Sequence, residues 1–402
     1  MDAYLLDWVN LLLRWAHVIV AIAWIGSSFY FVFLDNSLTP PQDADLKGKG
    51  VDGELWAVHG GGFYHPQKYM VAPKQIPEHL HWFYWESYST WLTGFALFTV
   101  LYLYQAGTFL IDKSVHAWSP GAAIAAALAF LVVFWFVYDA ICRLVLKLRG
   151  QSPGGDRIVG GLVAVFVVAA SWLACQLFAG RAAFLLVGAM MATAMSANVF
   201  FWIIPGQRKV MAQMKAGLAV DPAHGQRAKQ RSVHNTYFTL PVLVAMLSNH
   251  YGFLYGAPHN WLVLVLVMFA GALIRHSFVA RHKALVQAKR VPWEYAAVGT
   301  LALAGMAVWL APAPQAQSAQ AAPVKFAEVQ AVVLQRCAMC HNDQLASKNM
   351  QLHTPALIAQ HAQQIYQQAV VLKVMPLNNA TQITDAERAL LGRWFVAGAP
   401  AN

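Results

Sequence analysis

Apolar residues fill eight stretches of the 402-residue chain, at roughly 8–34, 85–105, 121–146, 158–179, 182–204, 236–255, 260–279 and 293–311. Each is close to the roughly 20 residues that a helix needs to cross a hydrocarbon core. The pattern therefore predicts an all-α fold, a polytopic membrane bundle of about eight spans over residues 1–311. In the fifth stretch Gly188, Ala192 and Ser196 recur at every fourth position. Such a small-residue stripe lets a neighbouring helix come close.

Three segments depart from this pattern. Residues 35–84 are polar at first, then run Trp56-Ala-Val-His59, three glycines and Phe63-Tyr64, which reads as a short hairpin. Loops of this length are usually functional, and this one is expected to form a lid over the helix ends. Residues 312–323 hold only Pro, Ala, Gln and Ser, a flexible linker with nothing to pack. Counted from Ala311, it would reach about 40 Å at the polyproline rise of about 3.1 Å per residue. Beyond it, residues 324–402 have the length of a small class I cytochrome c domain. A helix over 326–336 leads that segment, and Thr384-Asp-Ala-Glu387 is a capping box opening a last helix. That helix aligns Leu390, Leu391, Trp394 and Phe395, with Gly398 as its stop.

Composition supports the membrane reading: 58% of residues are hydrophobic and only 11% are charged, against about a quarter in soluble domains. The net charge of +10 invites a nucleic-acid reading, which its distribution removes. The segments 143–157, 205–234 and 275–292 hold fifteen basic residues, whereas 105–121, 179–182 and 251–260 hold only Lys113 and Arg181. By the positive-inside rule the basic segments, with the lid, are cytoplasmic and both termini periplasmic. The first apolar stretch follows Asp2 and Asp7 and is too long for a signal h-region, so it is expected to be an uncleaved span.

The strongest chemical signal is Cys337-Ala-Met-Cys340-His341, a c-type haem attachment motif. Its thiols can bond the haem vinyl groups, and His341 then becomes the proximal iron ligand. Met375, before Pro376, is the expected second ligand, the pair used for electron transfer at raised potential. A zinc site completed by His353 or His361 is the alternative. Covalent haem is attached outside the inner membrane of bacteria, so the motif and the charge count, which are independent, agree on topology. Cys142 and Cys175 lie in apolar stretches and are expected to pack there.

Ionisable residues within spans suggest function by default. His17 on the first span and His250 at the end of the sixth fall at similar depth, a possible pair of ligands for a b-type haem. The alternative is a hydrogen-bonded core histidine and an interfacial one. Asp139 and Arg143, four residues apart, are expected to pair.

Several long motifs carry a family likeness. Arg14-Trp-Ala-His17, Ala23-Trp-Ile-Gly-Ser-Ser28 and Trp56-Ala-Val-His59-Gly-Gly-Gly-Phe-Tyr64 are three of them. Lys68-Tyr-Met-Val-Ala-Pro73, Leu80-His81-Trp82-Phe-Tyr-Trp-Glu86 and His234-Asn235-Thr236-Tyr237-Phe-Thr-Leu-Pro241 are the others. Together they resemble PuuD-type urate hydroxylase, over essentially the whole chain. The resemblance implies oxidation of urate to 5-hydroxyisourate in purine catabolism. Electrons would pass through haem c to a soluble cytochrome c or a terminal oxidase, not directly to dioxygen. A basic, aromatic mouth suits the urate anion, and its hydroxylation by water needs bases. Glu86, His81 and His234 are the candidate bases, and His59, His65 and Lys68 on the lid the candidate purine ligands. In the structural alternative, Glu86 caps its helix and the lid residues hold the hairpin. Two other functions compete: an electron-transfer subunit without a substrate site, and a haem-binding transporter or sensor.

Overall fold

The computed structural model describes residues 2–69, 73, 76–150, 152–311 and 324–401. The linker at 312–323, and Met70 to Ala72 of the lid motif, lie outside the described residues. Each of the eight apolar stretches is met by a helix: α1 (Asp2–Ser37), α2 (Trp85–Phe98), α3 (Pro120–Arg149), α4 (Pro153–Leu177), α5 (Gly180–Asn198), α6 (Pro222–Leu247), α7 (Asn260–Val286) and α8 (Glu294–Trp309). Five helices are long and apolar enough to cross a membrane: α1, α3, α4, α7, and α5 with its continuation to Lys215. The other three fall short for visible reasons. Helix α2 is an α-helix for only 14 residues, α6 opens with a polar half, and α8 has 16 residues.

Three of the starts use one device, a capping side chain followed by proline. Ser119, Ser152 and Asp221 each accept a backbone N–H of the first turn, and Pro120, Pro153 and Pro222 follow them. Proline costs nothing there, because its missing N–H would have been unpaired. Helix α5 is the most enclosed, contacting α2, α3, α4 and α6. Its small-residue stripe works as expected: a Cβ on Gly188 would stand 2.8 Å from the Ala245 Cβ of α6. Ser196 at the other end shares a 3.0 Å hydrogen bond with Ser87 of α2. Helix α1, by contrast, lies at the edge against α2 and α7, with none of its apolar window buried.

The lid contains the hairpin. Strands β1 (Gly53–Glu54), β2 (Ala57–His59), β3 (Gly62–Tyr64) and β4 (Gln67–Lys68) pair as β1 with β4 and β2 with β3. Gly60 and Gly61 take φ values of +58° and +81°, the two positive angles that a tight I′ turn requires. Lys68 reaches back to Asp35 at 2.7 Å, tying the lid to the end of α1.

Beyond the linker, α9 (Phe326–Arg336) and α10 (Asp385–Val396) cross and share a core with Ile358 and Leu352. Trp394 and Leu391 are wholly buried in it. Thr384 and Glu387 form the predicted capping box, and Gly398, at φ +90°, follows the helix end. Burial alone would raise the Glu387 carboxyl. The Thr384 N–H and the Arg336 guanidinium, at 2.6 and 2.9 Å, outweigh that and hold it below its ordinary value. A lowered carboxyl stabilises the fold above its unfolded pKa, and the contribution disappears as pH falls through the folded value. Glu387→Gln is therefore expected to cost the domain about 1 kcal/mol at neutral pH. Acid should remove the difference between the two proteins, which melting curves across that range would check.

Candidate functional site

At the end of the bundle that carries the basic segments, an open cleft of about 320 Å³ lies between residues 77–82 and the helix Ile204–Lys215. Trp82 supplies an aromatic wall, and Arg208 and Lys215 supply positive charge. His81 lies between two cleft-lining residues, Leu80 and Trp82, with its Nε2 4.0 Å from Glu86 Oε1. Glu86 sits in the first turn of α2, where the helix dipole favours a carboxylate. Its Oε2 is buried and has no hydrogen-bond partner among the described residues. A buried carboxylate oxygen left open in this way can accept a proton or a donor from a ligand. Glu86 and His81 are the two candidates read from the sequence that fall near this cleft in the chain. The sequence marks Arg208 and Lys215 only as topology charges, because nothing in their local pattern sets them apart from other basic residues.

The remaining candidates go elsewhere. His234 turns into the bundle, where its Nδ1 is 2.8 Å from the Tyr138 hydroxyl on α3. Asn198 donates to the same hydroxyl at 2.9 Å and to Asn235 at 3.0 Å. On the lid, His65 Nε2 lies 2.6 Å from Glu54 and its ring stacks on Trp56 at 4.0 Å. With Lys68 bound to Asp35, both side chains hold the lid, and of the three lid candidates His59 alone is exposed. His17 shares a 3.1 Å hydrogen bond with Thr93 and packs on Gly94, whereas His250 stands exposed in the turn after α6. No described hydrogen bond joins those two histidines.

Two further polar features were not foreseen. Asp139 does meet Arg143, at 2.8 Å, but its closer partner is Arg231 of α6 at 2.6 Å, and Trp202 donates to it at 2.8 Å. Between α1 and α7, Arg275 lies over the Phe29 ring at 3.6 Å, beside a cleft of about 340 Å³. Phe29, Tyr30 and Phe278 of that cleft are exposed, and its Arg275 and His282 belong to the basic segment 275–292, so it lies towards the lid end of α1.

In the C-terminal domain, Cys337 and Cys340 are free thiols, and burial pushes Cys337 up to about 11. His341 Nδ1 lies 3.2 Å from the Met350 carbonyl, which fixes the ring and leaves Nε2 for a metal. Arg388, itself buried, donates to the carbonyls of Ala369 and Met375 and so holds the Met375 loop. Cys337, Cys340, His341 and Met375 are the side chains that could hold a covalently attached haem. No group of three or more His, Cys, Asp or Glu side chains placed to hold a metal ion occurs among the described residues.

No curated protein and no solved structure matches the chain. A family profile does match, that of the urate oxidase N-terminal family, over residues 3–311. This covers the whole helical bundle and the lid, and leaves out the C-terminal domain. The chain belongs to the urate oxidase N-terminal family.

Proposed function

We propose that the chain oxidises urate to 5-hydroxyisourate at the Trp82 cleft and passes the electrons to a haem c held by its C-terminal domain. The observation that carries this reading is, in a urate oxidase family chain, a cleft lined by Trp82, Arg208, Lys215 and Glu78 a few residues before Glu86, whose buried Oε2 has no partner among the described residues. Urate is a planar anion, produced in the cytoplasm. Trp82 offers it a stacking face, and Arg208 and Lys215 draw it by charge. Glu86 is the proton acceptor in this reading, with His81 beside it to carry the proton to solvent.

Haem c, once attached at Cys337 and Cys340, supplies a one-electron acceptor. His341 and Met375 are its proposed iron ligands. The bundle is taken to sit in a bacterial inner membrane with the cleft and lid cytoplasmic and the C-terminal domain periplasmic. The fold supports this arrangement, because the domain contacts the bundle end that bears few basic residues. A soluble cytochrome c or a terminal oxidase would take the electrons onward. His17 and His250 remain the proposed ligands of any haem b, although His17 is already engaged by Thr93.

The test is direct. Urate added to oxidised, purified protein under argon is expected to produce the reduced c-type spectrum. Glu86→Gln should slow that reduction by about 10²-fold or more, the usual size of a lost base. An unchanged rate in the variant would remove Glu86 from the chemistry, and no response in the wild type would remove urate.

A further inference from the structure

Among the described residues, contacts made by Leu372, Val374 and Asn378 join the C-terminal domain to the end of the bundle opposite the cleft. Asn378 Nδ2 donates to the Thr108 carbonyl at 2.5 Å. Val374 lies on Gly252, where an added Cβ would stand 2.0 Å from Val374 Cγ1. The Leu372 carbonyl is 3.6 Å from the equivalent position on Gly256. Neither glycine has a positive φ, so their backbone conformation does not require glycine. At Gly252 the close approach of Val374 does, whereas at Gly256 the tightest neighbour of an added Cβ is the Gly252 carbonyl oxygen at 2.9 Å, with the loop in ordinary contact.

Met375 lies between these contact residues. Its N–H bonds the Gln368 carbonyl at 3.1 Å and its carbonyl accepts from Arg388 at 2.8 Å, so the contact loop and the domain move as one piece. The bundle side is equally fixed. Asn249 accepts from the Tyr102 hydroxyl at 2.7 Å and from Arg181 Nε at 2.9 Å, which pins the turn leading to Gly252.

We infer that Gly252, Gly256 and Thr108 form the loading seat of the C-terminal domain. Docked there through the Met375 loop it would receive an electron that has crossed the bundle from the cleft through an intermediate redox group of the haem b class, as proposed above, and it must leave the seat to deliver it. The inference rests on the urate reading above. Urate and water give the hydroxylated product, two protons and two electrons. A domain with one iron accepts one electron at a time, so each turnover requires two loadings. While docked, the Met375 edge is covered by the bundle and closed to any soluble one-electron carrier. The linker, held at both ends, keeps the freed domain at high local concentration and so favours its return.

The docked state can be trapped in the full-length protein by Gly252→Cys with Val374→Cys. The Cβ positions are 3.5 Å apart, within the disulfide range of roughly 3.5–4.5 Å. Oxidation of membranes is expected to yield the linked 252–374 peptide pair in mass spectrometry. Urate should still reduce the cross-linked protein as fully as the thiol form. Delivery to added soluble cytochrome c should fall about tenfold or more, as expected when a conformational step is blocked. Failure to cross-link would overturn the seat. So would a cross-linked protein that urate cannot reduce when it reduces the thiol form, or one whose delivery is undiminished. If urate reduces neither wild type nor variant, the urate reading falls on its own. The seat is then judged by the cross-link and by delivery from chemically reduced protein, which needs no urate.

Discussion

Asp139→Leu is expected to destabilise the bundle by about 3–5 kcal/mol, because it leaves a buried guanidinium without its countercharge. The Asp139 and Arg231 side chains are each only 3% exposed, and they meet at 2.6 Å. Arg231 also lies over the rings of Tyr138 and Trp202, at 4.9 and 5.3 Å, so it cannot swing to water without breaking that packing. Arg143 is 60% exposed, and Arg143→Ala should cost at most about 1 kcal/mol, as surface pairs do. Adding Arg231→Met to Asp139→Leu should recover most of the loss, since apolar replacement of a whole buried pair is often neutral. Thermal unfolding of the detergent-solubilised variants checks all three. A double variant as unstable as Asp139→Leu alone would show that the pair is not what the aspartate supports.

That triad also marks where the sequence stops being informative. Asp139 and Arg143 are four residues apart on one helix, so their pairing follows from helical geometry alone. Arg231 is 92 positions from Asp139, and only the packing of α6 against the bundle brings it there. The same division holds elsewhere. The Gly60–Gly61 turn, the Thr384–Glu387 box and the eight apolar helices are all set by neighbours within a few residues, and each was legible. The partners of His65, Lys68 and His234 are not, and the structure gives all three structural work inside the lid or the bundle. Glu86 was found because a carboxylate at the start of an apolar helix is conspicuous. Arg208 and Lys215 were not singled out, because basic residues are what any cytoplasmic helix end carries.

The largest effect on electron transfer is expected from Cys337→Ala with Cys340→Ala. The variant should carry no haem that survives denaturation, and urate should produce no reduced c-type spectrum. The bundle should melt as before, because among the described residues the C-terminal domain meets it through a short loop around residues 372–379. The domain itself should become open to protease, since a fold this small depends on its cofactor to fill the core. Met375→Ala separates ligation from attachment. It should keep the covalent haem but lower the potential, because a methionine ligand raises it. Electron uptake from urate should then slow, while passage to an acceptor of fixed potential becomes more favourable. A zinc site makes the opposite forecast at each step. Met375 would then be irrelevant, and wild-type protein would contain zinc bound in place of haem. Elemental analysis of the purified protein, set beside the Met375→Ala potential, therefore decides what the Cys337–His341 segment holds. It also decides whether the docked loop at Gly252 is an electron contact or only a packing one.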